Sequence, residues 1–195
     1  MLEIDGLKKL RRIILREVRG YYHEMMGGNL VGVLKVFLTN DPIIKIVRWQ
    51  VNSRIADYYI WKAKKHIWAR LPQWFFIMRR NALANKIGIE INSMLIDEGF
   101  LLYHISGTVI NGSTKIGKNC HLHGNNCLEN SGPNNLKCPT LGDNVRLGVG
   151  AKVIGGVYVA NDITIAAGAV VTKSFYERGI TIGGIPAKKN QIVYV

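Results

Sequence analysis

Leu141-Gly-Asp-Asn-Val-Arg-Leu147-Gly-Val-Gly-Ala-Lys-Val153-Ile-Gly-Gly-Val-Tyr-Val159-Ala-Asn-Asp-Ile-Thr-Ile165-Ala-Ala-Gly-Ala-Val-Val171 places an aliphatic residue at every sixth position, with Gly142 and Gly148 directly after the first two. A period of six is neither that of a helix nor the alternation of a flat strand, and it fits short strands with a turn in every repeat. One such repeat cannot bury its apolar corner alone, so stacked coils must share a single core. Working back from Leu141, the same beat runs through Leu128, Leu122 and Ile116, and earlier through Leu102 and Ile96. It is interrupted twice: the phase slips by two between Thr108 and Ile116, and residues 129–140, Glu129-Asn-Ser-Gly-Pro-Asn-Asn-Leu-Lys-Cys-Pro-Thr140, intervene before Leu141. Loops that leave a rigid coil are where binding groups are usually carried. Residues 88–178 are therefore expected to form the solenoid, and residues 179–195 a turn-rich closing segment.

The first 87 residues follow another rule. Leu7, Leu10, Ile14, Val18, Tyr21 and Met25 recur at spacings of three and four, which predicts an amphipathic helix over residues 7–26 stopped by Gly27-Gly28. Its other face carries Lys8, Lys9, Arg12, Arg16 and Arg19, a solvated face or one suited to a membrane surface or a polyanion. A second helix is expected after Asn40-Asp41-Pro42, with Asp41 as cap and Pro42 at the first helical position, continuing through Trp49 and Tyr59. Residues 60–86 mix Trp61, Trp68, Trp74, Phe75 and Phe76 with Lys62, Lys64, Lys65, Arg70, Arg79 and Arg80, and Pro72 is expected to break the run. Such a mixture is read as core packing with cationic stems reaching outward, and no helix-turn-helix or zinc spacing accompanies it, so no nucleic acid is expected.

Composition narrows the classes further. Lys and Arg number 26 against 13 Asp and Glu, and 17 of the basic residues against 7 acidic ones fall in residues 1–90. That bias could attract cofactor phosphates, anionic lipid or nucleic acid without choosing among them. The odd count of three cysteines, Cys120, Cys127 and Cys138, argues against a disulfide framework and for a reducing cytoplasm. The opening Met-Leu-Glu-Ile-Asp-Gly does not read as a signal peptide, and the apolar stretch 30–38 is far too short to span a bilayer.

The segments Leu102-Tyr-His-Ile-Ser-Gly-Thr-Val-Ile110, Lys115-Ile-Gly-Lys-Asn119, Leu147-Gly-Val-Gly-Ala-Lys-Val153, Ala167-Gly-Ala-Val-Val-Thr-Lys173 and Gly184-Ile-Pro-Ala-Lys188, taken in order with the two insertions, resemble the serine acetyltransferase branch of the hexapeptide acyltransferases. The resemblance covers about residues 88–190. It implies a left-handed parallel β-helix, acetyl-CoA as donor, and homotrimers with active sites between neighbouring subunits. It also implies that His104 is the general base and that Glu90, in Ile89-Glu-Ile-Asn92, is the carboxylate that orients it, with glutamate in place of the more usual aspartate. The chemistry agrees with that pairing. A neutral imidazole can take the proton of an acceptor hydroxyl, and a carboxylate on the other ring nitrogen fixes the tautomer and stabilises the imidazolium.

The same resemblance places the pantetheine arm against backbone amides near Gly150, Ala151, Ala167 and Gly168, with Lys173 and Lys188 for the phosphates. Tyr103 stands where the family carries an acidic residue, and Cys138 where it carries a histidine before Pro139; with His123 these are the candidate acceptor contacts. The ending Ile192-Val-Tyr-Val195 lacks the terminal isoleucine of partner-binding members. His121 and His123 flank Leu122 and are expected to project outward, but a zinc site needs a further ligand that no spacing supplies, so no metal is expected. The activity implied is acetyl transfer from acetyl-CoA to a hydroxyl, serine being the nearest acceptor. The helical region resembles the version encoded with capsule or exopolysaccharide synthesis, which leaves a sugar or glycan precursor as an alternative acceptor, with peripheral membrane contact through the basic first helix. A non-catalytic oligomeric scaffold is the alternative of another class.

Overall fold

The computed structural model describes residues 4–91 and 95–189; the chain ending Ile192–Val195 lies outside them. The chain divides into two compact units, Leu2–Gly88 and Ile89–Val195.

The first unit is helical: α1 (Leu7–Met25), α2 (Leu30–Leu38), α3 (Pro42–Ala63), then a 3-10 turn at Ile67–Ala69 that runs into α4 (Arg70–Ile87). The stops and starts are chemical. After α1 the chain turns through Gly27 and Gly28 at φ +73° and +65°, a region that favours glycine. Asn29 Oδ1 then accepts from the N–H of Gly32 at 2.8 Å to cap α2, and Asp41 Oδ1 accepts from the N–H of Ile43 at 2.9 Å to cap α3, with Pro42 first in the helix. α2 has no counterpart in the periodicity, because seven apolar side chains in nine residues, relieved only by Gly32 and Lys35, give no alternation of apolar and polar faces. Pro72 does not break its run either. It is the third residue of α4, where the backbone N–H needs no intrahelical partner.

α3 packs against α4 through stacked Tyr59 and Phe76, with ring centroids 5.3 Å apart, while Ile4, Leu10, Ile13 and Tyr58 form a cluster around the start of α1. This core contains charge. Arg54 donates to buried Glu17 at 2.6 Å, Gln50 Nε2 donates to the same carboxylate at 2.9 Å, and Asp57 lies 3.6 Å from Arg54. Burial pushes the Asp57 carboxyl up to about 6, against the opposing pull of Arg54 and Arg80.

The second unit is a parallel solenoid of three faces. The first face stacks strands Ile89–Ile91, Thr108–Ile110, Cys127–Glu129, Lys152–Ile154 and Val170–Val171. The second stacks Lys115–Ile116, Thr140–Leu141 and Tyr158–Val159. The third stacks Leu101–Leu102, His121–Leu122, Arg146–Leu147, Thr164–Ile165 and Thr181–Gly183, and ends in the antiparallel strand Lys188–Lys189. Register aligns the inward residues into columns: Ile110, Leu128, Val153 and Val171; Ile116, Leu141 and Val159; Leu102, Leu122, Leu147, Ile165 and Ile182. Every one of these is 0–2 % exposed.

Corners need left-handed backbone. At the second-to-third corner Gly99, Asn119, Asn144, Asp162 and Gly179 all have positive φ. There the side chains form a ladder: Asn119 Nδ2 donates to Asn144 Oδ1 at 3.0 Å and Asn144 Nδ2 to Asp162 Oδ1 at 2.7 Å. Asparagine tolerates this conformation and its amide bridges coil to coil, which explains its recurrence in the sequence.

Candidate functional site

The structure moves the two-residue slip. Leu102 is in register with Leu122 and Ile110 with Leu128, so one coil takes eight residues between its third- and first-face columns where the next takes six. The extra pair lies between Leu102 and Ile110, not between Thr108 and Ile116, because Ile110 rather than Thr108 occupies the aliphatic column. His104 stands in this longer corner, exposed, one residue after the strand extension at Tyr103, and Ser106 and Gly107 complete the turn at φ +70° each.

The coil above leaves His104 uncovered. Gly124 sits over it at φ +107°, and a Cβ there would approach His104 Cβ to 3.0 Å. Buried Asn126 fixes this glycine: its Oδ1 accepts from the N–H of Gly124 at 2.9 Å, while its Nδ2 donates to Gly148 O at 2.8 Å and Ala151 O at 3.2 Å. The sequence reading missed Asn126. Its signal is an amide side chain in a corner column otherwise held by the smaller Thr108, Ala151 and Ala169.

Beside His104 the ring of Tyr103 stacks on His123, 4.5 Å between centroids and 3° between planes. Tyr103 Oη and His121 Nδ1 are 3.2 Å apart, a hydrogen bond whose direction follows the imidazole tautomer. His121 points outward from its strand and is 7 % exposed, packed beside Tyr103. Among the described residues no group of three or more His, Cys, Asp and Glu could hold a metal ion.

Glu90 lies exposed on the first face, on the strand one coil before the His104 corner, in register with Val109 of the strand that follows that corner. Cys138 lies elsewhere. The loop after Glu129 leaves the solenoid at the first-to-second corner, so within one chain Cys138 and His104 occupy different corners. Burial and the neighbouring Glu129 carboxylate push the Cys138 thiol up, which keeps it protonated. Glu129 itself is held by Asn111, whose Nδ2 donates to Oε2 at 2.9 Å.

Above Gly124, at the same corner as His104, lie the coils containing Gly150, Ala151, Ala167 and Gly168. The N–H groups of Gly150, Gly168 and Ala151 donate to Gly124 O at 3.0 Å, Val149 O at 2.9 Å and Gly148 O at 3.1 Å, so these three amides serve the solenoid itself. Ala151 is fully buried. Among the described residues the amides of Val149 and Ala167 donate no such backbone bond, and both residues are exposed, so these donors alternate with the ones the glycine pattern singled out. Val149 carries no signal in the sequence pattern, because a branched side chain does not report the state of its backbone N–H. Lys188 extends from the terminal hairpin, paired with Gly183 near this corner, whereas Lys173 follows the first face and lies over Phe175, 5.6 Å from its ring centroid.

A scan against protein-family models found no match. Among curated proteins, a serine acetyltransferase of Helicobacter pylori (strain J99) is 37 % identical over 120 residues, 60 % of this chain and 70 % of the relative. A serine acetyltransferase of Staphylococcus xylosus is 31 % identical over 141 residues, 70 % of this chain and 60 % of the relative. Among solved structures, a serine acetyltransferase in complex with cysteine superposes with TM-score 0.71 at 18 % identity, covering 95 % of this chain and 71 % of the other. Serine acetyltransferase of Brucella abortus in complex with coenzyme A gives 0.67 at 20 % identity, covering 94 % and 68 %.

Proposed function

This chain belongs to the serine acetyltransferase family and is an acetyl-CoA-dependent O-acetyltransferase; from that premise we propose that it acetylates the hydroxyl of L-serine with His104 as general base. The observation that carries this reading is the open corner itself: an imidazole on a coil lengthened by two residues, beneath a glycine held in place by Asn126. The neutral imidazole takes the hydroxyl proton as the serine oxygen attacks the thioester carbonyl carbon. Collapse of the tetrahedral intermediate breaks the C–S bond, and the imidazolium returns the proton to the departing CoA sulfur. Glu90 is the positioning carboxylate for His104. The stacked rings of Tyr103 and His123 form a wall on which the serine ammonium rests by ring-face attraction, in place of the carboxylate that the family carries at Tyr103.

The donor lies along the same corner. Its pantetheine amide groups meet the open N–H groups of Val149 and Ala167, with Gly150 and Gly168 supplying room, and Lys188 faces the phosphates. The solenoid coils in the left-handed sense and works as a cytoplasmic homotrimer. That assembly is favoured by the separation of His104 from Cys138 and Lys173, which one chain carries on another corner and a neighbouring copy would bring alongside.

The test is thiol release from acetyl-CoA with L-serine, with sugars and nucleotide sugars as comparison acceptors. His104→Asn is expected to lower turnover with L-serine by about 10²–10⁴-fold with an unchanged melting temperature. Undiminished turnover in that variant would remove His104 from the mechanism, and release with sugars alone would remove L-serine as acceptor.

A further inference from the structure

α4 has a buried face and an exposed one. Arg80, Ala84 and Ile87 are buried, and Phe76 stacks on Tyr59 of α3. Its outer face continues from the 3-10 turn and leaves Ile67 75 %, Leu71 77 %, Trp74 65 %, Phe75 54 % and Met78 50 % exposed, with Trp68 beside them at 56 %. Leu71, Trp74, Phe75 and Met78 stand at i, i+3, i+4 and i+7, one stripe of a helix. A contiguous stripe of this kind on a surface marks something that covers it.

Charge identifies what does. Residues 58–89 contain seven Lys and Arg and no Asp or Glu. Arg70 and Arg79 of α4 and Lys64 and Lys65, which precede the 3-10 turn, are exposed, and Lys62 Nζ lies over the Trp68 ring at 4.5 Å. A second copy packed on this face about a twofold axis would oppose those cations with their own duplicates. An anionic bilayer surface complements them. Tryptophan settles at the headgroup boundary, aliphatic side chains enter the acyl edge, and Lys and Arg stems reach back to phosphates. α1 lacks this combination, since it turns Leu10, Ile13 and Tyr21 inward and exposes only Leu7 and Leu15 among its large apolar side chains. The geometry points to the outer face of α4, with the turn before it, as a docking surface for an anionic lipid bilayer. No helix among the described residues is long and apolar enough to cross a membrane, so the contact is interfacial.

The experiment is co-sedimentation of the full chain with vesicles of phosphatidylcholine alone and of equal parts phosphatidylcholine and phosphatidylglycerol, with light scattering of the free protein. Binding is expected to the anionic vesicles, weakened by salt. Trp68→Ser/Trp74→Ser should weaken it at least about tenfold, and Lys64→Gln/Lys65→Gln/Arg70→Gln about fivefold per charge removed. Melting curves and turnover with L-serine show that both variants remain folded. Equal binding to neutral vesicles, no binding to either, or binding unchanged in both variants overturns the proposal. So does a fall in the mass of the free Trp68→Ser/Trp74→Ser protein, which would assign the face to a second copy.

Discussion

The two halves of this chain solve the problem of a core in opposite ways. The solenoid repeats one rule: aliphatic residues in three columns, all 0–2 % exposed, with polar side chains confined to corners and outer faces. The helical unit is particular. It encloses Glu17, Gln50 and Arg54 in a hydrogen-bonded cluster, each at most 3 % exposed, and leaves Trp74 and Leu71 outside. A repetitive core distributes its stability over equivalent contacts, whereas a core with one ionic cluster concentrates it in a few partners.

That contrast can be broken most forcefully at Arg54. Arg54→Ala leaves Glu17 buried without its cation and is expected to destabilise the helical unit by about 3–5 kcal/mol, while Arg54→Met with Glu17→Leu should restore most of the loss. Denaturant unfolding followed by tryptophan fluorescence reads both, and equal losses in the single and double variants would refute the ionic-cluster account. Next in size is a pH effect. Because burial raises the folded Asp57 carboxyl from its ordinary 3.8 to about 6, between those pH values the native state holds a proton that the unfolded chain has released. The stability linked to this group is complete below the unfolded value and is lost as pH rises through about 6. Asp57→Asn should therefore flatten the fall in melting temperature between about pH 4 and 7 relative to the parent protein.

The solenoid should answer more evenly. Ile116→Val and Ile165→Val, from different columns and different coils, should each cost about 0.5–1.5 kcal/mol, and a large disparity would show that its coils are not equivalent. Smallest is Tyr103→Phe, which removes the hydrogen bond to His121 but keeps the ring on His123. About 0.5–1.5 kcal/mol is expected in thermal denaturation, with serine turnover nearly retained.

The same contrast governs how much could be read beforehand. Leu141 to Val171 announced their columns because each repeat enforces the pattern again, and the elements around Asp41-Pro42 and Gly27-Gly28 were marked by cap and stop residues. α2 carried no periodic stripe, and Pro72 was read as a breaker because the start of α4 at Arg70 has no side-chain cap to reveal it. At the candidate site His104 and Glu90 came from the resemblance. The place of the longer corner did not, since only pairing of Ile110 with Leu128 shows which residues are extra. The exposed N–H of Val149 is equally illegible, because side-chain patterns do not report backbone donors.

The longer corner at His104 has a consequence for how such a protein changes over time. Its two additional residues are absorbed without disturbing the register of Leu102 with Leu122 or of Ile110 with Leu128. Length at a corner is thus mechanically insulated from the frame. Insertions or deletions can be accommodated there while the columns go on folding as before, so the length of this corner and the scaffold are free to evolve at different speeds.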